Sequence, residues 1–259
     1  MSSLLLPLIV VGLYPWLRAW IAVRKTSLNH ALAWACSAWV VCGLMLSDPD
    51  AGVPYRYLAL CLIACAGVAV LGARRPHVGA WNFVVAGLLA VMALPLLENL
   101  VLGDRPIGPV RVIFLSTTLI VVLGNYLPTC FWPAALLAGV GCAGEMGAVL
   151  SGQDMPEAVK LGSPLAIALV PWVGWACWVL RRRATGELER RWQDFRDLFG
   201  VMWSVRVREQ FNHAAEHAGW PVLLTWKGIA PRNAGSLAHL LEMEMLAVFH
   251  AVIKRFSAD

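Results

Sequence analysis

Apolar residues in the first 180 positions fall into long unbroken runs rather than the narrow stripe of a soluble helix. Seven runs approach the roughly 20 residues that a helix needs to cross a ~30 Å hydrocarbon core. They are about Leu4–Val23, Leu28–Leu46, Tyr57–Gly72, Gly79–Leu97, Val110–Leu127, Thr129–Leu150 and Ser163–Leu180. The pattern predicts an all-α polytopic membrane protein with about seven transmembrane helices. The fifth and sixth runs are separated only by Gly124–Pro133, whose Pro128, Pro133 and Asn125 interrupt a helix and read as a tight turn. A re-entrant hairpin there would change the count to six or eight. The first run is followed by Arg24 and Lys25, carries no basic stretch ahead of it and reads as a retained helix, not a signal peptide.

The pattern changes after the run that ends in Arg181, Arg182 and Arg183. From Glu187 to Ala218, Leu188, Trp192, Phe195, Phe199, Met202, Trp203 and Phe211 recur mostly at intervals of three and four, which predicts a long amphipathic helix bent at Gly200. Gly219 stops it. Trp220–Trp226 predicts one short extended segment before Gly228 and Pro231. Ser236 then caps a second helix reaching Phe256, with Leu237, Leu240, Leu241, Met245, Phe249 and Phe256 along its apolar stripe. The chain thus divides into a transmembrane bundle, 1–183, and a small, mainly α cytoplasmic domain, 184–259.

Composition agrees: 59% of residues are apolar and only 14% charged, against about a quarter charged in soluble domains. Of the 37 charged residues, 21 lie from Arg181 onward. The net charge of +5 gathers at span ends rather than along one exposed face, so nucleic-acid binding is not implied. The seven cysteines all lie in or beside apolar runs and predict no disulfide framework.

Orientation follows from where lysine and arginine collect. Arg24, Lys25, Arg74, Arg75 and Arg181–Arg183 mark one set of ends; the other carries Arg56, Arg105, Arg111 and Lys160, diluted by acids that include Asp48, Glu98 and Glu157. The first set is expected to be cytoplasmic, with the N-terminus outside and the C-terminus inside. The expected location is the plasma membrane, or the cytoplasmic membrane of a bacterial source.

The sixth run is rich in small residues. Ala135, Gly139, Ala143 and Gly147 recur at four, a spacing that lets helices approach closely in lipid, and predict a central helix. Within it stands Glu145, an acid well inside a span. An ionised carboxylate there needs a partner, and Arg56, Arg111 and Glu98 at outer helix ends make a polar cluster with it sterically plausible. Such a cluster either locks helices together or serves binding or proton relay.

In the C-terminal domain, two helices and one strand cannot bury all their apolar faces in each other. The face of Trp192, Phe195, Phe199, Met202 and Trp203 is therefore expected to meet a protein partner, a second copy or the membrane surface. His213-Ala214-Ala215-Glu216-His217 has the H-x-x-E-H order of inverted zinc proteases, and His213 and His217 share a helix face. With only 42 residues remaining, a solvated helix face is the plainer reading. His30 and His77 lie near span ends, without the small-residue groove that haem ligation needs, and no cofactor is expected. The leading expectation is a non-enzymatic docking or assembly protein of the membrane; the alternatives are a small-solute or ion transporter built around Glu145 and, third, a membrane-bound zinc hydrolase.

Overall fold

The computed structural model describes residues 2–48, 52–73, 78–103, 107–151, 156–231 and 239–257. Arg74, Arg75, His77, Arg105, Ser236 and Leu237, and the side chains of Leu240 and Leu241, lie outside them. The bundle consists of α1 (Ser2–Val23), α2 (Leu28–Met45), α3 (Val53–Leu71), α4 (Val78–Leu102), α5 (Pro109–Gly124), α6 (Trp132–Ser151) and α7 (Glu157–Leu180). Five of these, α2, α3, α4, α6 and α7, are long and apolar enough to cross a membrane, while α1 from Pro7 and α5 are shorter apolar helices. The chain is a mainly helical membrane protein. Prolines open α3 and α5, where a missing N–H costs nothing, while Pro7, Pro15, Pro95, Pro164 and Pro171 stand inside α1, α4 and α7.

The hub is α3 rather than α6. It packs against α2, α4, α5, α6 and α8, and Ala59, Leu60, Cys61, Ala64 and Cys65 are fully buried along it. The physical reason is its own run of small side chains, which admits neighbours on every face. Nor does the Ala135–Gly139–Ala143–Gly147 row make the tight contact of α6. Gly141 and Gly144 do, against Ile167 and Ser163 of α7, where an added Cβ would stand 2.7 and 2.6 Å from those side chains; Ala143 is exposed. α3 also begins at Val53, earlier than expected, so Arg56 belongs to its first turn.

The C-terminal part consists of α8 (Glu187–His217), β1 (Val222–Thr225), β2 (Gly228–Pro231), α9 (His239–Ile253) and a 3₁₀ turn, Lys254–Phe256. The single extended segment of the sequence reading is in fact a two-stranded antiparallel hairpin, with Val222 opposite Pro231 and Thr225 opposite Gly228. A two-residue loop, Trp226–Lys227, closes it, and Gly228 at φ 138° supplies a conformation that side-chain-bearing residues avoid. β2 is only four residues long and ends on proline, so it carries little strand signal of its own.

One apolar core runs through both parts. Tyr57, Leu60 and Leu115 of the bundle belong to the same buried cluster as Trp192, Phe195, Phe211, Met245, Phe249 and Phe256. The α1–α2 corner is tied to the chain's end. Ser27 N–H donates to the Phe256 carbonyl at 3.0 Å, Thr26 bridges to Ser257, and the Ser27 hydroxyl reaches the Ala73 carbonyl below α3.

Candidate functional site

α8 breaks at Gly200, whose φ of 74° and ψ of −171° are not helical. A broken helix leaves unsatisfied carbonyls on one side and unsatisfied N–H groups on the other. The α5–α6 hairpin supplies both. Val201 N–H donates to the Asn125 carbonyl at 2.9 Å, and Met202 N–H donates to Asn125 Oδ1 at 3.0 Å. Asn125 Nδ2 lies 3.5 Å from the Phe199 carbonyl, and Tyr126 hydroxyl donates to the Leu198 carbonyl at 3.2 Å. Asn125 is buried and caps both halves of α8 from a different segment of the chain. Gly200 is required twice over: by its φ, and because a Cβ would stand 2.2 Å from Asn125 Nδ2.

Other bonds tie the same surfaces. Trp203 Nε1 donates to the Val70 carbonyl at 3.2 Å and Trp226 Nε1 to the Pro128 carbonyl at 2.9 Å. Asp197, 2% exposed, accepts from Cys130 N–H at 3.2 Å and from Arg196 at 2.9 and 3.1 Å. Arg181 reaches Asp194 at 2.5 Å and Asp197 at 3.5 Å, with its guanidinium 3.3 Å above the Trp178 ring. Trp178 in turn stacks on Phe131 of the hairpin. Burial, reinforced by the Asp197 carboxylate, pushes the Cys130 thiol up to about 12.

The docking face expected from sequence is covered within the chain. Trp192, Phe195, Phe199 and Trp203 are all buried, and only Met202 of the five is exposed. Phe256 is the cover: its ring lies 5.0 Å from those of Phe195 and Phe199 and 5.2 Å from Trp203, with Phe249 against Trp192 at 6.4 Å. Because α9 and the span ends meet the same face, a small domain buries more aromatic surface than its two helices could bury alone.

The expected polar cluster separates into two pairs. Arg56 Nη1 donates to Glu145 Oε2 at 2.7 Å, and Ser163 Oγ of α7 donates to Oε1 at 2.6 Å; the two ionic side chains are 7% and 0% exposed. This site joins α3, α6 and α7, and both carboxylate oxygens are engaged. Glu98 pairs instead with Arg111 through two hydrogen bonds of 2.7 and 2.8 Å, at about 40% exposure on each side chain. His213 and His217 lie together on the exposed face of α8 with ring centroids 4.5 Å apart, and Glu216 is exposed beside them. Among the described residues no group of three or more histidine, cysteine or acidic side chains is spaced to hold a metal ion.

Sequence reasoning gave Asn125 only a part in a turn and assigned no role to Asp197 or Ser163. Their available signals were a polar residue between two apolar spans and an acid beside an aromatic face; neither names its partner. Comparison with known protein families, with curated proteins and with solved structures finds no match.

Proposed function

We propose that this chain is a non-enzymatic, membrane-anchored docking protein whose 184–259 segment is held rigidly on a seven-span bundle, 1–183, and presents its outer surface to a protein partner or a second copy. The observation that carries this reading is the capping of both halves of α8 by Asn125. A domain meant to swing would hang on a solvated linker; here the linker is short, and the bundle completes the helix. The aromatic face being internal, docking falls to the outer surface, where Met202, Leu223 and Met243 are exposed, as are Arg206, Glu209, His213, Glu216 and His217 of α8.

In this reading the N-terminus is outside and the C-terminal domain cytoplasmic, in the plasma membrane or the cytoplasmic membrane of a bacterial source. Supporting it, Arg24, Lys25 and Arg181–Arg183 lie at helix ends whose neighbours, Ser27 and Arg181 among them, contact the C-terminal segment. Positive residues gathered on that side favour cytoplasmic retention.

Cross-linking in native membranes tests the proposal. The intact protein should yield a defined adduct with a partner or a second copy, and Gly200→Ala, which disturbs the seat of α8, should lose it while still inserting. An adduct unchanged in Gly200→Ala contradicts the reading. Transport through Glu145 is a second reading, favoured by a carboxylate placed inside the bundle; it requires the Arg56 pair to open. Zinc hydrolysis at His213, Glu216 and His217 comes third and needs a further ligand.

A further inference from the structure

A cavity of about 500 Å³ opens where α6, the end of α7 and α8 meet. Its walls are of two kinds. Trp132, Val173, Ala176 and Leu180 form an apolar side continuous with the spans, and Leu180 and Trp132 are 80% and 53% exposed at its lips. Gln193, Arg181, Arg182, Arg196 and Asp197 form the polar side. Three arginines here face two carboxylates, Asp194 and Asp197. The charge of Arg181 is balanced by Asp194 and Asp197, while its buried Nε and Nη1 make no hydrogen bond, and Arg196 spends its guanidinium on Asp197 and the Trp226 carbonyl. The charge left over sits on Arg182, which is exposed and, among the described residues, pairs with no carboxylate.

We propose that this cleft binds an anionic phospholipid, its phosphate against Arg182 and the Gln193 amide and the upper part of an acyl chain against Val173, Ala176 and Leu180. The chemistry favours a lipid over free phosphate because the polar and apolar walls are adjacent and the apolar one opens at the end of a span. A bare anion would use only half of the site. The Arg181–Asp197 and Arg196–Asp197 pairs, buried in the polar wall, keep the arginine side rigid, and Arg181 is further held by its guanidinium 3.3 Å above the Trp178 ring. The inference does not rest on the docking role proposed above, nor on which leaflet the cleft faces.

The test is native mass spectrometry of the full chain released from detergent, with phosphatidylglycerol, phosphatidylcholine of the same chains, or inorganic phosphate added. The expected result is preferential retention of phosphatidylglycerol, reduced roughly fivefold in Arg182→Gln, as befits one arginine at a headgroup. Arg183→Gln, exposed but not lining the cavity, should leave the preference intact. Ala176→Trp, which fills the apolar wall and leaves Arg182 in place, should weaken retention of phosphatidylglycerol as well. Equal retention of the two lipids, equal loss in Arg183→Gln, or displacement of phosphatidylglycerol by millimolar phosphate would each overturn the proposal.

Discussion

Arg56 of α3 and Glu145 of α6 meet at 2.7 Å with almost no side-chain exposure. Removing one partner of a buried pair strands the other charge, at about 3–5 kcal/mol, whereas replacing both by apolar residues of similar volume is often neutral. Glu145→Gln should therefore lower thermal stability in detergent strongly. The double variant Arg56→Met with Glu145→Met should recover most of it. A relay carboxylate gives a different outcome: Glu145→Gln keeps its stability and loses a flux or growth phenotype.

The second pair serves as the contrast. Glu98 and Arg111 are bidentate but about 40% exposed, so solvent screens them and their coupling should not exceed about 1 kcal/mol. Glu98→Gln should shift the melting temperature far less than Glu145→Gln under the same conditions. Comparable shifts would mean that burial does not set the difference.

Cys130 tests the environment of Asp197. With its thiol raised to about 12 by burial and the neighbouring carboxylate, Cys130 should stay protonated at pH 8 and react slowly with maleimide. The sign for stability follows: because the folded value is raised, the stabilisation is fully present below the ordinary thiol range and is lost as pH rises through about 12. Asp197→Asn removes one cause and should speed labelling. Mass spectrometry of labelled peptides reads the rate directly.

How much of this was legible in the sequence depends on what each feature requires. A membrane helix needs a continuous apolar run, so the five long apolar helices and the two shorter ones stand out; their ends do not, and Arg56 moved from a loop into the first turn of α3. That Glu145 needs a partner inside the bundle follows from the cost of burying charge. Choosing Arg56 over Arg111 required knowing which helices are neighbours. The aromatic face of α8 was visible as apolar, but Phe256, which covers it, lies more than fifty residues downstream. Gly200 suggested a bend, while Asn125 looked like any turn residue, because nothing local to either records that the two would meet.

The bonds at Asn125 carry the central claim, that bundle and C-terminal helices form one body. Val201 and Met202 open the second half of α8, so their N–H groups have no helical acceptor and depend on Asn125 alone. Hydrogen exchange at these two amides, measured on the full chain in nanodiscs, is the direct reading. Strong protection is expected in the native protein, falling selectively in Asn125→Ala, while amides in the middle of α6 and α7 stay protected. Fast exchange of Val201 and Met202 in the native protein, at the rate of a solvent-exposed helix start, would contradict the account.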